Sequence, residues 1–268
     1  MRKNVDIKWY QTLDSTNTQA AREISQAPDG TVWIADFQTA GRGQRGNRWE
    51  SAKCENLTFS ILFKPTFLSP AQQFAISEVA AIGVCRYLRS KGLPAQIKWP
   101  NDIYIGNKKI CGMLIEHSIS GANLAGSIVG IGLNLNQREF SSDAPNPTSL
   151  LLEAEALASS NVPEGTYDRR EELSSLLGYI FTAYGELEDG FAAELNQEYL
   201  DCLYRFNQWH QFIEIDANAP ADMPVEKMAA GRTITARITG IDPYGCVILE
   251  HQDGTVQSYP FKGIRYIL

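Results

Sequence analysis

Histidine is scarce in this 268-residue chain, and cysteine has no pattern. His117, His210 and His251 share no metal-ligand spacing, so no metal-binding motif is expected. Cys54, Cys85, Cys111, Cys202 and Cys246 are scattered, odd in number and contain no C-x-x-C. They read as reduced thiols of a cytoplasmic protein, not as a disulfide framework. No apolar run approaches the length that spans a bilayer, so no membrane association is expected. Met1-Arg-Lys-Asn-Val-Asp6 lacks the apolar stretch of an export signal. Basic charge is also short: 24 Lys and Arg against 31 Asp and Glu leave a net charge of −7. The pI is near 5.1, and phosphate backbones need a basic face, so broad nucleic-acid binding is not expected. There is no internal repeat and no low-complexity tract. What is present, 44% hydrophobic and 21% charged residues, fits one large globular domain, or a large and a small one.

Against that acidic balance, Gly41-Arg-Gly-Gln-Arg-Gly-Asn-Arg48 holds three glycines and three arginines. Glycines let a backbone approach a ligand and present its N–H groups. Arginines hold phosphate or carboxylate through a fixed fork of donors. The loop therefore reads as a wrap for a phosphorylated or acidic small molecule. Gly41-x-Gly43-x-x-Gly46 matches the dinucleotide fingerprint, but a strand-like run (Leu57–Phe63) follows it where a helix is required. Asn47-Arg48 stand where a P-loop needs Lys-Ser/Thr, and no His-Arg-Asp or Asp-Phe-Gly triplet supports a protein kinase.

The pattern predicts a helix from about Asp14, with Ser15 or Thr16 as cap, and strands near 31–38 and 57–64 flanking the loop. A long helix starts at Ser69-Pro70 and ends at Gly92. Strand-like runs follow at 96–99, 110–116 and 127–135, then helices at 166–187 and 191–206. After about residue 207 the chain turns to short strands, with turns at Asp242-Pro-Tyr-Gly245 and Asp253-Gly254, which predicts a small barrel; 217–231 reads as a loop.

Three further segments stand out. Lys98-Trp-Pro-Asn-Asp102 places one cation and two side chains suited to nucleotide or Mg²⁺ contacts in one turn. Lys108-Lys109 open a buried strand, where a lysine can neutralise charge developing on phosphate. Gly130-Ile-Gly132-Leu-Asn134 puts glycines on alternate positions, where a ligand or a backbone passes closely. Each also has an ordinary structural explanation: a capped turn, a solvated strand end, a packed central strand.

The ordered set resembles biotin protein ligase. It comprises Asp14-Ser-Thr-Asn17, Gln38-Thr-Ala-Gly-Arg-Gly-x-Arg-Gly46 with Trp49, Lys98-Trp-Pro-Asn-Asp-Ile103, Lys109-Ile-Cys-Gly-Met-Leu-Ile-Glu116, Gly130-Ile-Gly-Leu-Asn134 and Thr148-Ser-Leu150. The resemblance runs from about residue 9 to the C-terminus. It implies an α/β (α+β) fold: a class II synthetase-like mixed sheet flanked by helices over 1–207, and a small SH3-like β-barrel over 208–268. It also implies two chemical steps. Biotin's carboxylate attacks the α-phosphate of ATP to give biotinyl-5′-AMP and pyrophosphate. A lysine of a biotin carboxyl carrier protein or domain then attacks this mixed anhydride and releases AMP. ATP and Mg²⁺ are the implied cofactors. No enzyme nucleophile is needed, in keeping with the absence of a Ser-His or Cys-His signature, and catalysis would rest on positioning and electrostatics.

By position, the resemblance assigns Ser15, Thr16, Asn17, Gln38, Gly41, Arg42, Gly43, Gln44, Lys109, Gly112, Leu114 and Gly130 to biotin. It assigns Arg45, Arg48, Trp49, Lys98, Asn101 and Asn134 to ATP, with Trp49 stacking on adenine and residues 140–149 closing over the adenosine. Lys109, Arg42 and Lys98 would carry the catalytic charge. Gln44 and Asn47 depart from the family, where basic residues are common. Some members carry an N-terminal helix-turn-helix; here the first motif begins by residue 14, so no specific DNA binding is expected, and the protein would be a monomer or homodimer. Lipoate–protein ligase shares the Lys-Trp-Pro-Asn-Asp turn, but the glycine-arginine loop favours biotin. A non-catalytic sensor of biotinyl-adenylate is the rival of a different class, and retention of Lys109, Lys98 and the arginines argues against it.

Overall fold

A computed structural model of the chain describes residues 5–44, 47–121, 123–141, 146–157, 166–215, 231–261 and 263–267. Seven strands form the larger sheet: β1 (Ile7–Tyr10), β2 (Val32–Ala35), β3 (Leu57–Phe63), β4 (Ala95–Lys98), β5 (Asp102–Ile105), β6 (Lys108–Ser120) and β7 (Asn123–Leu133). Their order is β1-β2-β3-β7-β6-β5-β4. Only β1 and β2 run parallel, because helix α1 (Thr16–Glu23) carries the chain back between them.

Both faces of the sheet are covered, which explains why Leu57–Phe63 is buried along its whole length. On one face Trp33, Leu62 and Ile128 pack with Ala20 and Ala27 in a small core at α1. The alternate residues Val32, Ile34, Ile61, Phe63 and Val129 point the other way, into the main core. There they meet helices α2 (Phe74–Ser90), α4 (Arg169–Glu188) and α5 (Ala192–Asp201). Gly83 lets α2 and α4 touch, since a Cβ there would lie 2.7 Å from the Ile180 Cα.

Helix starts follow capping chemistry. Ser69 and Gln72 form a reciprocal capping box around Pro70, opening a single 3₁₀ turn before α2. Asp168 accepts from the N–H groups of Arg170 and Glu171 at the start of α4. Ser15 sits at the N-cap of α1, but its side chain makes no cap bond; its N–H instead donates to Asp14 Oδ1.

The smaller sheet contains β8 (Trp209–Glu214), β9 (Arg232–Ile241), β10 (Val247–His251), β11 (Val256–Tyr259) and β12 (Ile264–Tyr266), all antiparallel, in the order β11-β10-β9-β8-β12. The C-terminal β-unit is therefore present, but among the described residues β11 and β12 remain edges and no closed barrel forms. Pro260, which has no N–H for a ladder, directly follows β11. The two sheets share one continuous core that includes Phe212, Ile238 and Tyr266 beside Trp99 and Leu203. Trp99 donates its Nε1–H to the Gly245 carbonyl across the seam at 2.9 Å.

Several elements depart from the sequence expectation. β1, β5 and helix α3 (Leu150–Leu157) were not predicted; each is eight residues or fewer and is fixed by its partners rather than by periodicity. The helix expected over 191–206 stops at Asp201, and Arg205 and Asn207 take positive φ values of 63° and 57° that no helix continues. β6 extends well beyond 110–116. The segment predicted as a loop at 217–231 lies, except for its last residue, outside the described residues.

One buried acid in α2 has a measurable consequence. Burial pushes the Glu78 carboxyl up to about 7, against a hydrogen bond from Asn196 that lowers it. A folded-state pKa raised above the unfolded value means the fold binds the extra proton. Stability therefore falls as pH rises from about 4.5 through 7. Glu78→Gln is expected to remove this slope and to stabilise the protein at pH 8 by up to about 3 kcal/mol. Urea unfolding at pH 5 and pH 8 checks it; parallel pH dependence in both proteins would refute the assignment.

Candidate active site

The glycines and cations singled out in the sequence converge on one cleft of ≈ 290 Å³. Its floor is the centre of the larger sheet, at Thr58, Gly112, Leu114, Gly130 and Gly132. The basic loop forms one wall, the turn after β4 another, and Phe261, with Ile264, Arg265 and Tyr266 of β12, closes a third side.

The basic loop is a narrow hairpin. Arg42 and Arg48 form an antiparallel bridge, Gly43 N–H donates to the Asn47 carbonyl, and Trp49 N–H donates to the Gly41 carbonyl. A Cβ at Gly41 would lie 2.5 Å from the Trp49 carbonyl oxygen, so glycine is required for the closure itself. The Trp49 indole lies in a slot in the sheet. A Cβ at Gly132 would come within 2.2 Å of its ring and one at Gly112 within 2.9 Å. Gly112 and Gly132 face each other across β6 and β7, so two glycines in register make the slot. The buried indole Nε1 has no hydrogen-bond partner among the described residues.

One end of the cleft is a polar hub. Asn17 donates to the Leu114 carbonyl (3.1 Å) and to Glu116 Oε2 (2.8 Å). Ser60 Oγ lies 2.6 Å from Asn17 Oδ1 and 2.7 Å from Thr16 Oγ1, while Thr16 N–H donates to Gln38 Oε1. Gly130 leaves room for this, since a Cβ there would fall 2.2 Å from Asn17 Oδ1. The Arg42 guanidinium forks onto Glu116, 2.7 Å between Nη2 and Oε1. Both partners are well exposed, so the pair is a weak one that an incoming anion can replace.

The other end carries the lysines. Lys109 Nζ pairs with Asp102 Oδ1 at 2.6 Å and lies 5.7 Å from the Trp49 ring. Lys98 Nζ donates to the Tyr104 hydroxyl at 3.1 Å. Burial holds the Lys98 ammonium below its usual range; Asp102 opposes this, and Lys109 and Arg205 add to it. Asn101 donates to the Met113 carbonyl and its own carbonyl accepts from Met113 N–H, which ties the turn to β6.

The residues expected at the site are thus largely together: Ser15, Thr16, Asn17, Gln38, Arg42, Gly43, Gln44, Arg48, Trp49, Lys98, Asn101, Lys109, Gly112, Leu114 and Gly130 all line the cleft. Gly41 and Asn134 do not line it. Asn134 is buried, donates to the Thr148 carbonyl at 2.9 Å, and leaves its Oδ1 without a partner among the described residues. Arg45 and part of the 140–149 segment lie outside the described residues. Sequence reasoning gives no role to Glu116 and reads Asp102 only as a nucleotide or Mg²⁺ contact, whereas in the structure they are the carboxylates that hold Arg42 and Lys109. It also missed the contribution of Phe261, Ile264, Arg265 and Tyr266, for which no local signal exists.

Several known proteins are similar to this chain. Residues 9–134 match the model of the biotin/lipoate A/B protein ligase family. The bifunctional ligase/repressor BirA of Salmonella typhimurium is 30% identical over 248 residues, 92% of this chain and 70% of that protein. The biotin–[acetyl-CoA-carboxylase] ligase of Paracoccus denitrificans is 37% identical over 128 residues, 46% of this chain and 51% of its own length. In structure, the biotin protein ligase of Aquifex aeolicus in complex with biotin and ATP superposes with a TM-score of 0.75, at 23% identity, over 98% of this chain and 99% of that one. That last likeness is one of fold.

Proposed function

The chain belongs to the biotin/lipoate A/B protein ligase family, and from that premise we infer that its cleft joins biotin to a lysine of a carrier protein. It is an ATP-dependent biotin protein ligase. A biotin carboxylate oxygen attacks the α-phosphorus of ATP, forming the P–O bond of biotinyl-5′-AMP as the bond to pyrophosphate breaks. The acceptor lysine's amine then attacks the acyl carbon, loses a proton, and AMP leaves. The acceptor is the carrier domain of a biotin-dependent carboxylase. The observation that carries this reading is the division of one cleft into a polar hub around Asn17 and an end that carries Lys98 and Lys109, built from segments far apart in sequence.

The assignment of roles is our proposal. The hub of Ser15, Thr16, Asn17 and Gln38 offers the paired donors and acceptors that a ureido ring needs. Gly112, Leu114 and Gly130 leave space along the sheet, and Gly43 and Gln44 cover it. Arg42 leaves Glu116 for the biotin carboxylate or the α-phosphate. Two anions must meet in the first step, so Lys109 lowers the barrier by holding negative charge on the phosphate, while Lys98, Asn101, Arg45 and Arg48 take the remaining phosphates. Trp49 and Asn134 serve the adenosine. Mg²⁺ would be carried in on ATP and would neutralise phosphate charge there; the Asn101 amide oxygen is a suitable donor in the cleft, while Asp102 is committed to Lys109. The segments 1–207 and 208–268 are proposed as separate units that share the core described above.

The decisive experiment is mass spectrometry of a carrier domain incubated with the protein, ATP, Mg²⁺ and either biotin or lipoate. Addition of a biotinyl group to one lysine supports the reading; lipoyl transfer, or no transfer with normal biotinyl-adenylate binding, would replace it.

Gln44 supplies a second expected result. It lines the mouth of the cleft, and a neutral amide lacks an arginine's charge-assisted fork. Gln44→Arg is expected to slow escape of biotinyl-adenylate by about 1 kcal/mol, the modest size reflecting screening and the ordering of a loop side chain. Trapping the released adenylate measures the off-rate in both proteins, and an unchanged rate removes Gln44 from retention.

A further inference from the structure

The cations of the cleft are held in two different ways. Arg42 is committed to Glu116 and Lys109 to Asp102, each by an ion pair of 2.7 Å or less. Lys98 has no carboxylate within ion-pair distance among the described residues. Its ammonium instead donates to the neutral Tyr104 hydroxyl at 3.1 Å and lies 4.7 Å from the centre of that ring and 5.2 Å from that of Tyr266. Both distances are within the range at which a ring quadrupole attracts a cation. The two rings come from different sheets: Tyr104 from β5, one strand from Lys98, and Tyr266 from β12 at the far end of the chain.

We propose that Tyr266 is a positioning residue for the nucleotide half of the reaction: its ring, with that of Tyr104, cages Lys98 so that this lysine meets the ATP phosphates without first breaking an ion pair. The inference rests on the ligase reading given above. Three observations support it. Tyr266 lines the cleft and is 9% exposed, so its ring is fixed rather than mobile. It is held from behind by Phe212, whose ring centre lies 5.2 Å away, and by Tyr204 at 6.1 Å. The Tyr266 hydroxyl makes no hydrogen bond among the described residues, so the ring, not the hydroxyl, is what the neighbours use. An aromatic cage has a chemical advantage over a carboxylate here. It steadies a half-buried cation but leaves its full charge for a polyanion, whereas a carboxylate would repel the incoming phosphates.

The arrangement makes the smaller sheet a working part of the ATP site, and the cost of disturbing it falls on one substrate only. Tyr266→Leu and Tyr266→Met remove the ring, Met with less change in reach. Each is expected to raise the KM for ATP at least fivefold in biotin-dependent pyrophosphate release, with the Kd for biotin alone within twofold. Tyr266→Phe keeps the ring and is expected to restore the ATP KM. Phe212→Leu removes the ring that backs Tyr266 without touching Lys98, and is expected to raise the KM for ATP less than Tyr266→Leu does, with the Kd for biotin alone again within twofold. Equal weakening toward both substrates, or a Phe variant as impaired as Leu, would overturn the cage. Should the Leu and Met variants fail to fold, the unmutated protein still decides. With lysines labelled as ¹³C-dimethyl derivatives, the Lys98 signal, assigned through Lys98→Arg, is expected at an upfield, ring-shifted position that moves when ATP is added. A signal at the ordinary lysine position would refute the proposal. Absence of pyrophosphate release from the unmutated enzyme would count against the ligase reading itself, while an upfield Lys98 signal would still report the cage.

Discussion

Lys109→Ala is expected to slow formation of biotinyl-adenylate at least tenfold, about 1.4 kcal/mol of barrier, in a protein that still folds. Lys109 stands at the start of β6, its side chain about one-fifth exposed, and among the described residues its ion pair is with Asp102. Its backbone is independently fixed: Lys109 N–H donates to the Asn146 carbonyl, and its own carbonyl accepts from Thr148 N–H. Truncation therefore removes the cation without removing the strand. It also leaves the Asp102 carboxylate facing the phosphates, which adds repulsion to the lost attraction. The double variant Lys109→Ala with Asp102→Asn should accordingly recover part of the loss, and this partial rescue separates charge from packing. Single-turnover pyrophosphate release is the measurement. A normal rate in folded Lys109→Ala protein would take Lys109 out of the mechanism.

A single methyl group at position 130 should be nearly as damaging, but to biotin rather than to ATP. In Gly130→Ala the new Cβ would sit 2.2 Å from Asn17 Oδ1, far inside contact distance. Asn17 is locked by bonds to Leu114 and Glu116 and by Ser60, so it cannot yield without losing several of them. At roughly 1 kcal/mol per hydrogen bond, displacing Asn17 costs the fold about 3 kcal/mol, and loss of its contact to biotin is expected to weaken biotin binding about tenfold, or ~1.4 kcal/mol. Calorimetric titration of biotin tests this, with thermal melting to show that the fold survives. The route through Asn17 has its own check. If Gly130→Ala acts by displacing that side chain, it should cost little more once Asn17→Ala is already present. Fully additive losses would mean that the methyl blocks the pocket directly.

Much of this site was legible before any coordinates. Gly41, Gly130 and Gly132 announced close approach because glycine is the residue that tolerates it, and each would collide if given a side chain. The long helix after Ser69-Pro70 and its end at Gly92, where φ is +82°, were equally plain, because capping and left-handed turns are decided by a few adjacent residues. The order of the motifs carried the family, since ligand chemistry restricts residue type at each.

The sequence alone therefore determined which residue types meet the ligand and which local elements carry them; these depend on short-range sterics and hydrogen bonding. Only the tertiary structure decided how the charges are partnered. Nothing near Arg42 in the chain names Glu116, 74 positions away, and nothing near Lys98 names Tyr266. Short strands such as β1 and β5 were equally silent, because a four-residue strand gains its stability from the neighbours it pairs with. The closure of the second unit into a barrel was anticipated from strand count, yet its described strands end at two edges, since closure depends on long-range register that strand propensity does not encode.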